Sequence, residues 1–171
     1  GISYDRIEYE GIQWSCPSED HPGTSTLFLD KFNTKNGLGK LFPVEYVPQT
    51  EKVSEEYPFL LNSGRILFHY HTSTMSRRNK VLRDYENEAY VLMHPHDARK
   101  MDIHHGEKVK ITSARGSLET HVRISEEVLE KELFMHWHFS EAPVNRLTRA
   151  EMDPHSKIAP FKLSACRVEK Y

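Results

Sequence analysis

The chain has 171 residues, 37 % of them hydrophobic, and a net charge of −2 from 23 basic and 25 acidic side chains. That length allows one domain with a real core, and the near-neutral balance excludes a nucleic-acid-binding polycation. No stretch approaches the run of roughly 18 apolar residues that a membrane-spanning helix needs, and the two cysteines, Cys16 and Cys166, cannot supply an iron–sulfur cluster or a zinc knuckle.

The opening GISYDRIEYE has no basic flank and no apolar segment, so it is not a signal peptide. It also lacks an initiator Met, which leaves open that the chain is part of something longer. Residues 1–50 show neither a period of 2 nor one of 3.6. Their apolar residues, among them Ile12, Trp14, Phe28 and Phe42, are scattered between turn clusters such as CPSEDHPGT and NTKNGLGK. Such a segment does not readily build its own core. Residues 1–56, with 5 basic against 10 acidic residues, are read as an extended arm and linker, and residues 57–171 as the folded body.

From Tyr57 the character changes. PFLLNSGR is a buried strand running into a tight turn, and AYVLMH is a second strand. HPHDARKMDIHHG predicts a short helix, with Pro95 in its first turn and Gly106 after its end. KVKITSARGSLETHVRI is a β-hairpin. Val109 and Ile111, then Leu118, Thr120, Val122 and Ile124, share one buried face, and ARG forms the turn. ELFMHWHF and FKLSACRVEK are the last strands, with Cys166 a small buried residue of the second. The body therefore predicts a mainly β fold, a closed barrel with short helices.

Three patterns carry chemistry. His-x-His occurs at His69/His71, His94/His96 and His136/His138, and on a strand each pair would face one way. No third or fourth ligand stands at suggestive spacing, so hydrogen bonding to a polar ligand is preferred over a metal. Ser63-Gly64-Arg65, followed by Thr72, Ser73, Thr74 and Ser76, offers close backbone approach, a planar guanidinium and hydroxyls. Those are the parts of a phosphate or fused-ring site. Tyr57 to Arg83 contains five basic residues and no acidic one, which fits a small anionic partner. Gly116-Ser117 is the dipeptide at which some β-barrel decarboxylases cleave themselves, but a hairpin turn also favours Gly and Ser, and no self-processing is expected. Glu126, Glu127, Glu130 and Glu132 read as a solvated acidic loop.

Taken together, YPFLLNSGRILFHYHTSTMSRR, VLMHPHDARKMDIHHGEKVKITSARGSLETHVRIS, and NRLT followed by KIAPFKLSACRVE resemble the C-terminal module of molybdopterin-dependent oxidoreductases. The arm GIQWSCP…HPGT resembles the stretch before that module in formate dehydrogenase catalytic (alpha) subunits. The resemblance implies a double-psi β-barrel, of the aspartate-decarboxylase-like class. It closes over one arm of a bis-molybdopterin guanine dinucleotide (bis-MGD) cofactor carrying molybdenum or tungsten. It implies cofactor contacts from Gly64 and Arg65, His69, His71, Thr72, Ser73, Thr74, Trp137, Asn145, Phe161 and Lys162, with no catalytic residue and no metal ligand in this chain. Iron–sulfur cysteines and the metal-binding cysteine or selenocysteine would lie in upstream domains of the same subunit. The implied setting is a cytoplasmic formate-oxidising enzyme with electron-transfer subunits as partners. It includes no nucleic acid and no membrane segment. Another molybdopterin oxidoreductase of the nitrate reductase type, a stand-alone pterin-binding subunit, and an ATPase-adaptor barrel that binds protein partners remain as alternatives.

Overall fold

The computed structural model describes residues 1–171, which form two compact units, Gly1–Val47 and Pro48–Tyr171. In the first, the only regular element is α1 (Tyr4–Ile7). The rest is held by local contacts. Arg6 Nη2 donates to the His21 carbonyl at 2.8 Å and Thr24 N–H to the Gln13 carbonyl at 3.0 Å, while the Cys16 thiol is buried beside His21. A segment without a periodic apolar face thus folds as turns.

The second unit is a closed barrel of six strands. These are β1 (Phe59–Gly64), β2 (Tyr90–Met93), β3 (Lys108–Ser113), β4 (Gly116–Ile124), β5 (Glu132–His136) and β6 (Leu163–Lys170), in the order β1-β5-β2-β4-β3-β6. Two pairs are parallel, β1/β5 and β2/β4, and the other four are antiparallel. Parallel neighbours cannot be joined by a tight turn, so long connections carry the chain across the barrel ends, and these supply the site described below. This mainly β barrel is closed, as the strand pattern predicted, and is of the double-psi class that the family resemblance implied. Its interior is filled by alternate residues of every strand: Phe59 and Leu61, Val91 and Met93, Val109 and Ile111, Leu118 and Val122, Leu133 and Met135, Cys166 and Val168. The β3–β4 hairpin follows its period of 2 as expected, with Thr120 also inward, its hydroxyl donating to the Ala89 carbonyl at 3.0 Å. Cys166 is buried in β6 as the sequence suggested, and burial pushes its thiol up to about 12, so it stays protonated.

The helices differ from expectation in two ways. α3 (Pro95–Lys100) begins where predicted, with Pro95 in its first turn and the His94 ring accepting from the His96 N–H. It ends well before Gly106. Asp102 takes the left-handed conformation (φ 53°), Ile103 N–H bonds back to Ala98 at 2.9 Å and Asp102 N–H to Arg99 at 3.2 Å. That is a Schellman cap with Asp where glycine is usual, so the glycine-based stop was misplaced. α2 (Lys80–Tyr85) was not foreseen. It buries no residue, and rests on the Asn79 side chain accepting from Leu82 N–H at 3.2 Å and on the Lys80–Asp84 pair one turn apart.

Candidate functional site

The parallel pairing of β1 with β5 sets Gly64 opposite His136, so the residues after both strands leave the barrel side by side. Trp137 N–H bonds to the Gly64 carbonyl at 3.3 Å, and the Arg65 guanidinium lies 5.3 Å from the centre of the Trp137 ring. β6 runs antiparallel to β1, which brings the residues before it to the same mouth. Ser63 N–H bonds to the Lys162 carbonyl at 3.0 Å, the Ser63 hydroxyl donates to the Phe161 carbonyl, and Lys162 Nζ reaches the Ser63 carbonyl at 3.3 Å. Ser63, Arg65, Trp137, Asn145, Phe161 and Lys162 line one cavity of about 260 Å³.

A second cavity, of about 450 Å³, shares Trp137 and Asn145 with the first. Thr72, Ser73 and Thr74 form one side of it, the 138–140 and 143–144 segments another, and Arg77 completes it. Asn145 is placed by its neighbours. It sits in the 3₁₀ turn Val144–Arg146, whose flanking Val144 and Leu147 are fully buried in the core, leaving Asn145 outward.

The loop between β1 and α2 is pinned by His138. Its Nδ1 donates to the His71 carbonyl and its Nε2 accepts from the Ile66 N–H at 3.0 Å, which fixes one neutral tautomer. The fully buried Ser73 hydroxyl donates back to the His138 carbonyl at 2.8 Å. Burial lowers the pKa of His138, the bond to His71 opposing in part. His71 and Ser73 both hold positive φ, 48° and 58°. Two non-glycine residues in that region within three positions cost about 1–3 kcal/mol each, and these tertiary bonds hold them there. The exposed Thr72 and Thr74 side chains flank the cavity.

The structure therefore brings together Arg65, Thr72, Ser73, Thr74, Trp137, Asn145, Phe161 and Lys162 of the residues singled out from the sequence. His69 stands apart. Residues 65–75 are not a strand, so His69 and His71 do not share a face. His69 is buried, with Nδ1 2.9 Å from the Ser76 hydroxyl and Nε2 2.6 Å from the Glu86 carbonyl, and it packs edge-on against Phe139. His71 instead meets the Trp137 ring edge-on, centroids 5.9 Å apart. His136 is buried among Tyr90, Phe139 and His138, and His96 pairs with Glu130. No group of three His, Cys, Asp or Glu side chains has the geometry to hold a metal ion.

Gly64 is explained by packing. A Cβ there would overlap Cε2 and Cζ of the Phe134 ring on β5. Gly64→Ala is expected to destabilise the barrel by about 1–3 kcal/mol, read as a lower midpoint in urea unfolding. An unchanged midpoint would show that the ring moves aside freely. Sequence reasoning missed Phe139 and Ser140 at this site, and had His138 only as half of a His-x-His pair and Arg77 only as one charge of a basic run. The available signals were the third His-x-His pair and the first arginine of SRR.

In electrostatic terms the two cavities together present Arg65 and Lys162 with no carboxylate in their lining, and Arg77, whose partner Glu141 stands outside that lining. A shared aromatic wall, Trp137, and one bifunctional amide, Asn145, complete them. Such a site favours an elongated ligand that carries more than one negative charge, a flat ring system and edge hydrogen-bonding groups.

Comparison with known proteins agrees with that chemistry. Residues 59–165 match the family described as molydopterin dinucleotide binding domain. Over 99 % of its length the chain is 44 % identical to the F420-dependent formate dehydrogenase subunit alpha of Methanocaldococcus jannaschii and 41 % identical to the F420-dependent formate dehydrogenase 1 subunit alpha of Methanococcus maripaludis. It is 35 % identical over 98 % of its length to the assimilatory nitrate reductase catalytic subunit of Bacillus subtilis. The chain spans about a quarter of the length of each, 25 %, 25 % and 24 %. Among solved structures, acetylene hydratase from Pelobacter acetylenicus shares the fold with a TM-score of 0.58, over 68 % of this chain and 19 % of that one, at 16 % identity.

Proposed function

The chain belongs to the molydopterin dinucleotide binding domain family, and from that membership we propose that its barrel holds the guanine dinucleotide arm of a bis-MGD cofactor carrying molybdenum or tungsten. The observation that carries the reading is the pair of adjoining cavities lined by three cationic side chains, with no acid in the lining itself and a shared tryptophan wall. Arg65 and Lys162 would neutralise phosphate, Trp137 would lie against a ring system, and Asn145 would donate and accept at its edge, with Thr72, Thr74 and Phe161 flanking it. The backbone around Ser73 and His71 would shape the loop, and His69 would support it from within. The cofactor, when bound, supplies two-electron redox chemistry; this chain binds and orients it.

The whole protein is proposed to be a formate dehydrogenase catalytic subunit that oxidises formate to carbon dioxide in the cytoplasm and passes electrons to partner subunits. The relatives of highest identity named above are called formate dehydrogenases, and the nitrate reductase relative is less similar. On this reading residues 1–56 are the arm from a preceding catalytic domain and 57–171 the cofactor-binding body. The ligand of the metal and any iron–sulfur cysteines belong to those other domains.

Acid hydrolysis of the purified intact protein is expected to release GMP, and formate is expected to reduce a viologen dye with it. CMP in place of GMP would overturn the guanine assignment. Nucleotide release with nitrate-dependent dye oxidation and no formate activity would favour the nitrate reductase type. Absence of any released nucleotide would remove the cofactor reading.

A further inference from the structure

We propose that Glu141 is a built-in counter-ion of the larger cavity: it holds Arg77 in the ligand-free state, and the phosphate of an incoming nucleotide takes its place. The Arg77 fork meets the Glu141 carboxylate with two parallel bonds, Nη2 to Oε1 at 2.8 Å and Nη1 to Oε2 at 3.1 Å. The guanidinium lies 4.8 Å from the centre of the buried Phe139 ring, which fixes its plane. Arg77 lines the larger cavity and is its one permanently charged residue. Glu141 does not line that cavity but faces a neighbouring one, so the carboxylate approaches the guanidinium from outside the site.

Planar, bidentate pairing with a carboxylate is also the geometry in which a guanidinium holds phosphate. A ligand phosphate and Glu141 are therefore interchangeable partners for the same fork. The exchange is cheap because both side chains are partly exposed, 33 % and 58 %, so neither charge is stranded when the pair opens. Ser140, whose hydroxyl is 3.3 Å from Glu141 Oε2, lines the same cavity as Arg77 and offers its hydroxyl to a ligand once the carboxylate leaves. The two cavities thus differ. Arg65 and Lys162 face theirs without a carboxylate partner, whereas Arg77 is neutralised until the ligand arrives.

This proposal rests on the nucleotide-cofactor reading, and its test separates the two. The probes are guanosine diphosphate and uncharged guanosine, titrated calorimetrically into the full 171-residue chain. Glu141→Gln is expected to tighten guanosine diphosphate about two- to fivefold, the ratio that corresponds to releasing a half-exposed ion pair, and to leave guanosine unchanged. Arg77→Ala is expected to weaken the diphosphate about tenfold and to abolish the effect of Glu141→Gln in the double variant. If Arg65→Ala weakens the diphosphate while Glu141→Gln does not tighten it, or shifts guanosine equally, the counter-ion role is wrong and the cofactor reading stands. If the wild-type chain binds neither probe, or Arg65→Ala has no effect, both fall.

Discussion

Arg65→Ala is expected to weaken binding of the proposed guanine nucleotide by about ten- to a hundredfold and to leave the intact protein largely free of its proposed cofactor. A charge-assisted bidentate bond is worth about 1.5–3 kcal/mol, and every tenfold in affinity is about 1.4 kcal/mol. The residue follows the last strand residue of β1 directly, so its backbone is fixed by the barrel while its exposed side chain reaches over Trp137. That placement aims the fork at a ligand on the tryptophan face. Arg65→Lys keeps the charge and loses both the planar pair of donors and the stacking, so it should fall between wild type and Ala. The circular dichroism and urea midpoint of both variants should match wild type, because the side chain takes no part in the core. Full nucleotide content in Arg65→Ala would remove the residue from the site, and an unfolded variant would make it structural.

The barrel was legible where one face of a strand is buried and the other is wet. Val109, Ile111, Leu118 and Val122 announce their strands because each lies between polar neighbours, and a shift of one residue would turn the whole set outward. The order of the strands was not legible from pattern, since parallel pairs such as β1/β5 join residues about seventy positions apart in a way no local period records. The end of α3 was misjudged because the usual signal for a helix stop is glycine, whereas Asp102 takes the left-handed position here. α2 escaped notice because it presents no apolar face.

The candidate site was legible as residue types and only partly as geometry. Arg65, Trp137 and Lys162 stand at strand ends, and a strand end is the place where a side chain can face a ligand while its backbone is held. His69 carries the same local signature as His71, two residues away. What separates them is the irregular path of residues 65–75, which drives one ring into contact with Ser76 and Glu86 and leaves the other beside Trp137. Arg77 looked like one charge in a basic run. Its difference from Arg78 is a tertiary matter, set by the Phe139 ring and by Glu141.

The protein is also expected to lose stability in mild acid, and His136 to account for much of the loss. This side chain is completely buried, with the rings of Tyr90 at 4.6 Å, Phe139 at 5.1 Å and His138 at 5.7 Å between centroids, and neither ring nitrogen has a hydrogen-bond partner. Burial is the main reason its pKa is pushed down to about 3, with His138, Arg123 and His69 adding repulsion. In the unfolded chain the same imidazole titrates near 6.5. Below that value the unfolded state takes up a proton that the folded state refuses, so stability falls as pH falls, and it continues to fall until the folded pKa is reached. The contribution lost is about 2 kcal/mol on going from neutral pH to about 5, at about 1.4 kcal/mol per pH unit. His136→Met fills a similar volume with an adaptable apolar side chain and removes two buried polar atoms that are unpaired, which cost about 1–3 kcal/mol when left so. The variant should be at least as stable as wild type at neutral pH, and its stability should decline less steeply toward acid, by about one proton's worth of slope. Urea unfolding across that range reads both quantities. Parallel pH profiles for the two proteins would show that His136 takes up its proton in the folded state, which the enclosing rings and the absence of any partner argue against.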